Sequence, residues 1–286
     1  MREASVLDSD IDYCLDRIRR FDRDRALTVL VAPGKQAADL AVLYAFNLEL
    51  ATIQDSVTEP MLARIRLQWW REAVAELYAG RPRRHAVLTP LAAINAGRPL
   101  GRRWLDRLID AREAELDAEP PADLDALARH AEATSGSLLA LAAEAAGLDA
   151  EAGDVMALTR HVGTAFALAG IARATLHLAR HRRTLLPRAV LQAHDVSLDR
   201  LYELKAQPGL APAVATIADR ARAELAAARL LRAPASLVPA LRVGTLARAA
   251  LKRLERHDHD LFDPKSVEAS PLDIWRLFAR KLTGTW

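Results

Sequence analysis

The sequence predicts an all-α fold in a single domain, and three observations point there. Only 12 glycines and 14 prolines punctuate 286 residues, fewer than a chain of many short strands and turns needs. Hydrophobic residues make up 51% and charged residues 27%, with the helix formers Ala, Leu, Arg and Glu recurring throughout. Apolar residues return at three- and four-residue steps almost from end to end. Such a chain can bury a sizeable core beneath a charged surface. Collagen, a disulfide scaffold and a β-rich sandwich are excluded.

The elements follow in order. Residues 9–19 read as a first helix, capped by Ser9 or Asp10. Ala26-Leu27-Thr28-Val29-Leu30-Val31 has the composition of a strand, but no partner strand is visible, so it is assigned to a helix ending at Pro33-Gly34. A long helix is expected over 35–57, where Leu40, Leu43, Tyr44, Leu48, Ala51 and Asp55 recur at helical steps. Pro60 suits the first turn of the next helix, where its missing N–H costs nothing. That helix runs through Trp69-Trp70 to Gly80. Shorter helices are expected at 86–95 and 101–117. Pro120-Pro121 leads into a helix over 123–146, stopped by Gly147. Residues 149–183 read as two helical stretches, the second ended by Pro187. A short helix at 198–204 precedes long amphipathic ones at 208–231 and 236–256. Ser270-Pro271 opens the last, with Trp275 and Phe278 on one face. The gaps are short and no repeat is visible, so the domain is expected to span 1–286.

Composition bounds the chemistry. One cysteine, Cys14, excludes an internal disulfide, fits a reducing compartment and is expected to be buried. No run of 18 uninterrupted apolar residues occurs, so no membrane-spanning helix is expected. The segment Met1 to Asp8 lacks the pattern of a secretory or transit peptide, which fits a cytoplasmic protein. A net charge of +3 gives no nucleic-acid footprint, but it permits weak attraction to an anionic membrane. There is no glycine-rich phosphate loop, CxxC, HExxH or GxSxG. His257-Asp258-His259-Asp260 is the one dense set of potential metal ligands, but neighbours on a helix point apart, and a solvated helix end is expected. Trp69-Trp70 is expected in the core, with Arg66 and Arg71 in salt-bridge or cation–π roles.

Three segments carry a resemblance. Leu43-Tyr44-Ala45-Phe46-Asn47-Leu48-Glu49-Leu50-Ala51-Thr52-Ile53-Gln54-Asp55-Ser56-Val57 resembles the first signature of the squalene/phytoene synthase family. Arg66-Leu67-Gln68-Trp69-Trp70-Arg71 resembles its Arg-Leu-x-Trp-Trp-Arg segment, and His161-Val162-Gly163 through Leu185-Leu186-Pro187 its second signature. The likeness covers about residues 11–283. It implies the all-α isoprenoid (terpenoid) synthase fold, a helical barrel around a central cavity. Family enzymes join two prenyl diphosphates head to head. They neutralise the diphosphate with Mg²⁺ held by two aspartate-rich motifs, because hard cations need several carboxylate oxygens.

This chain departs from that pattern. The first motif falls on Ala51, Thr52 and Asp55, and the second on Ala174, His177 and Leu178, with Arg173 beside them. Only Asp55 is a carboxylate, and cations nearby would repel Mg²⁺. The departures, with Ala131-Glu132-Ala133-Thr134, Ser137-Leu138-Leu139 and Arg182-Arg183, resemble one branch of the family: mitochondrial complex I assembly factor 6 and its bacterial relatives, regarded as non-catalytic. The N-terminus fits a bacterial relative.

Three readings follow from the resemblance. One is a pseudoenzyme without cofactor, acting as an assembly or accessory factor near the inner membrane, with respiratory NADH dehydrogenase (complex I) as client. Another is a Mg²⁺-dependent head-to-head prenyltransferase. A third is a prenyl-lipid-binding module, its cavity lined by Ala51, Thr52, Asp55, Arg173, Ala174, His177 and Leu178, with Arg173 or His177 at the lipid head. Residues 271–286, where Ile274, Trp275, Leu277 and Phe278 mix with Arg276, Arg280 and Lys281, suit either an interfacial membrane helix or docking onto the barrel.

Overall fold

A computed structural model describes residues 2–57, 59–117 and 119–286. Among these there is no strand. The α-helices are α1 (Arg2–Phe21), α2 (Arg23–Leu30), α3 (Gly34–Ala51), α4 (Pro60–Tyr78), α5 (Leu88–Gly97), α6 (Arg102–Ala114), α7 (Leu124–Ala131), α8 (Ser137–Ala145), α9 (Gly153–Arg180), α10 (Arg188–Ala193), α11 (Leu198–Tyr202), α12 (Leu210–Ala228), α13 (Val238–Leu241), α14 (Val243–Arg256), α15 (Pro264–Val267) and α16 (Asp273–Leu282). The strand-like run 26–31 is helical, as α2, and Pro60 does open α4.

Several boundaries differ from expectation for local reasons. Ser9 and Asp10 lie inside α1, which begins earlier. The helix expected over 35–57 ends at Ala51, and a 3₁₀ turn, Gln54–Ser56, follows. At that end the Thr52 hydroxyl donates to the carbonyl of Leu48 at 2.9 Å. The helix expected over 123–146 is divided by a π-turn at Glu132–Gly136, where the Thr134 hydroxyl donates to the carbonyls of His130 and Ala131. The two stretches expected within 149–183 are one helix, α9, of 28 residues. By length and composition α9 could cross a bilayer. In the fold it is the central core helix, packed against α7, the π-turn, α8, α12 and α14.

The core has one large cluster on the α1–α8 side, another built by α9, α12 and α14, and a small third against α16. Phe166 on α9 packs against all three. Cys14 is fully buried. Trp70 is core, whereas Trp69 stays partly exposed with its ring edge-on to Trp70 at 5.1 Å. Arg71 pairs with Asp110 and Glu113, and Arg66 donates to the Ser56 hydroxyl. His257 pairs with Asp263 at 2.8 Å where α14 ends. The apolar residues of α16 do not share one face. Leu277 is fully buried against the barrel, while Trp275 is 69% exposed.

Candidate functional site

The two segments carrying the degenerate motifs come together although they are far apart in the chain. α3 ends at Ala51, and its chain turns through the 3₁₀ segment bearing Asp55. α9 ends at Arg180, and Arg182 then takes a left-handed conformation at φ 53°. The Arg183 N–H donates back to the Leu178 carbonyl at 3.1 Å and the Arg182 N–H to that of Ala179 at 2.9 Å, closing the helix end as a Schellman turn does. This reversal aims Arg183 at Asp55, and the guanidinium donates to the carboxylate at 2.7 Å. The last acid of the first motif is therefore held by a cation from the chain that follows the second.

Behind this pair lies a cleft of about 400 Å³, lined by Gln54, Glu115, His130, Leu178, Arg182 and Arg183 among others. Its buried acid is Glu115, just past the end of α6. Arg112 approaches one of its oxygens at 2.6 Å and His130 the same oxygen at 2.9 Å. Burial alone would push the Glu115 carboxyl up. Arg112, the His130 hydrogen bond and charge, and Arg183 outweigh it and hold its pKa down at about 2. Gln54 donates to the Glu115 backbone carbonyl at 3.2 Å, and Arg112 reaches the Asn47 side chain at 3.4 Å.

The other expected residues go elsewhere. Thr52 lines a separate hollow of about 290 Å³ with Arg17, Glu49, Arg66 and the two tryptophans. Glu49, close to the first motif, is taken by Arg17 at 3.1 Å. Arg173 points to α2, where it donates to Asp24 at 2.7 Å. His177 is exposed and sits against His181, ring centres 5.3 Å apart. Arg173 and His177 do not line this cleft. Ala51 and Ala174 are half-buried and offer no polar side chain. Of the seven expected residues, Leu178 lines the cleft and Asp55 meets its rim through Arg183.

Between α2, α3, α9 and the π-turn, Arg25 takes the interior position. It pairs with Asp22 at 2.8 Å, donates to Ser135 at 3.0 Å, and lies over the rings of Phe166 at 4.7 Å and Tyr44 at 5.6 Å. Sequence reading missed Glu115, His130 and Arg25. The first belongs to the charged run 106–119, which has the signature of a solvated face; a buried member of such a run carries no local mark.

The fold and the facing pair of motif segments define an isoprenoid synthase architecture, and the squalene/phytoene synthase profile matches residues 18–276. The chain belongs to the squalene/phytoene synthase family. Within it, the chain is similar to the proteins named NADH dehydrogenase (ubiquinone) complex I, assembly factor 6. It is 33% identical to that of Mus musculus over 262 residues, covering 91% of this chain and 78% of the relative. It is 29% identical to that of Homo sapiens over the same shares. Among solved structures, a dehydrosqualene synthase in complex with ligand superposes with a TM-score of 0.83 at 16% identity, covering 98% of both chains. A squalene synthase from Alicyclobacillus acidocaldarius gives 0.73 at 21% identity over 88% of this chain and 95% of that one. At these identities the structures establish the fold.

The family's Mg²⁺ cluster needs several converging carboxylates. The donor set here does not fit it. Ala51, Ala174 and Leu178 have no oxygen in their side chains, the Thr52 hydroxyl is engaged with Leu48, and Asp55 and Glu115 are each held by cations. Among the described residues no group of three or more His, Cys, Asp or Glu could hold a metal.

Proposed function

We propose that this protein is a non-catalytic member of its family that serves as an assembly or accessory factor for respiratory NADH dehydrogenase, acting from the cytoplasm at the inner membrane and requiring no Mg²⁺. The observation that supports this most is the Asp55–Arg183 pair, which occupies the mouth where a prenyltransferase needs carboxylates free for Mg²⁺. The names of the relatives supply the client. α4 also presents Met61, Leu62, Ile65 and Trp69 as an exposed apolar stripe, a kind of surface that protein partners cover.

Two measurements test the reading. Isothermal titration with MgCl₂ and a non-hydrolysable farnesyl diphosphate analogue should give no metal-dependent binding; micromolar, Mg²⁺-dependent binding would restore the enzyme reading. Deleting the gene in its own organism should reduce fully assembled NADH dehydrogenase on native gels, and unchanged assembly would remove the proposed client.

A prenyl lipid in the mouth cleft is a second reading. At about 400 Å³ the cleft falls within the range of small-molecule sites, roughly 300–1,000 Å³. Leu116, Leu178 and Leu185 give it apolar walls beside Arg182. Native mass spectrometry of gently purified protein, with a thermal-shift screen of prenyl diphosphates and quinones, should then reveal a bound lipid. A clean apo mass with no stabilisation would leave the scaffold alone.

A further inference from the structure

α14 and α16 leave a groove of about 370 Å³ between them. Arg248 and Lys252, one turn apart on α14, line it together with Arg276 and Arg280, one turn apart on α16. No carboxylate belongs to its lining. Arg276 is tied to Asp273. Among the described residues Arg248 has no ion-pair partner, and burial together with the cations Arg229 and Arg280 pushes its pKa down to about 10. Thr245 also lines the groove. It is 6% exposed, and its Oγ1 has no hydrogen-bond partner among the described residues. Crowded like charges around a buried, unpartnered hydroxyl are unfavourable unless an anion completes them. A tetrahedral oxyanion would, because it accepts from guanidinium forks, an ammonium and a hydroxyl together.

The neighbouring face of α16 tells which anion. Trp275, Phe278 and Leu282 follow one another at three- and four-residue steps and point away from the barrel, with Leu282 88% exposed. The rings of Trp275 and Phe278 lie 6.2 Å apart. Buried Asp273 and Leu277 hold the opposite face, so the ridge is presented by a docked helix. An apolar ridge beside a cationic groove matches the boundary between headgroups and acyl chains, where a soluble phosphate would leave the ridge unused.

We propose that this groove binds the phosphate of an anionic phospholipid headgroup while Trp275, Phe278 and Leu282 lie in the bilayer interface. This deepens the inner-membrane placement proposed above, and its test is independent of the complex I client.

The test is co-sedimentation of the full chain with phosphatidylcholine vesicles, with and without phosphatidylglycerol. Binding should require phosphatidylglycerol. The double variant Arg248→Ala/Lys252→Ala should weaken it by about thirtyfold, two lost cations near the surface. Trp275→Ala should weaken it as well. The variant Arg81→Ala/Arg84→Ala removes the same charge from exposed positions between α4 and α5 and should change binding by less than about threefold. Without lipid, Arg248→Ala should match or exceed the wild-type Tm, since it relieves repulsion; Arg248→Gln serves if alanine disturbs the fold. Absent binding to anionic vesicles, equal losses in the groove and control variants, or stabilisation by inorganic phosphate with no vesicle binding would each overturn the assignment.

Discussion

Glu115 and Asp55 are both acids at the mouth, and they differ in what their charge does for the fold. Asp55 and Arg183 are partly exposed, so their pair contributes less than about 1 kcal/mol. Arg183→Ala is a mild change to stability. Glu115 is buried, and Arg112 and His130 make its ionised form the one the folded state favours. Its pKa falls from 4.5 to about 2 on folding. That contribution is complete above the unfolded value and disappears as pH drops from about 4.5 toward 2. The gap corresponds to roughly 3 kcal/mol. Glu115→Gln is therefore expected to lower Tm clearly at pH 7, with the difference narrowing through that acid window. Parallel pH profiles for wild type and variant would show that Glu115 is not held this way.

At the scale of the element, α9 contains two glycines with opposite reasons for being there. A Cβ on Gly163 would meet the Gly136 nitrogen at 2.5 Å, its Cα at 2.6 Å and the Ser135 carbonyl carbon at 2.7 Å. All three are backbone atoms of the π-turn, which cannot swing aside as a side chain would. A Cβ on Gly170 meets nothing within 4 Å. Gly163→Ala is expected to destabilise the protein by about 3 kcal/mol or more. Gly170→Ala should stabilise it by about 0.5–1 kcal/mol, through helix propensity alone. Denaturant midpoints of the two variants should move in opposite directions, and a shared direction would mean that the π-turn and α9 do not approach as closely as described.

Across the whole molecule, buried charges join helices distant in sequence. Asp24 on α2 holds Arg173 on α9, and Asp273 on α16 holds Arg253 on α14 at 3.3 Å, holds Arg276, and accepts from the Ser270 N–H at 3.1 Å. The Asp273 side chain is 2% exposed and that of Arg253 12%. Removing the acid strands a buried guanidinium, which typically costs about 3–5 kcal/mol. Asp273→Ala should accordingly lower Tm by on the order of 10 °C and free α16 to exchange its amides faster. Slow exchange across 273–282 in that variant would place the anchoring in Leu277 alone.

Local periodicity was enough to read most of the longer helices from the chain. Apolar residues at helical steps marked α3, α4, α12 and α14, Pro60 marked a start, and Gly147, at φ 81°, marked a stop. The motif segments around Tyr44, Trp69 and Leu186 were sufficient to place the chain in its family and to reveal the missing aspartates. Continuity was harder. Residues 149–183 read as two stretches, yet Gly163 and Gly170 both lie inside one uninterrupted α9, the first against the backbone of the π-turn and the second beside open space. Charge partners were out of reach for a more general reason. Asp55 and Arg183 are 128 residues apart, and Arg173 and Asp24 are 149. A side chain's helical face follows from its neighbours in sequence. Which charge it meets depends on which helices the core brings side by side, and that long-range packing is why Glu115, Arg25 and the cationic groove of α14 and α16 have no signature in the sequence.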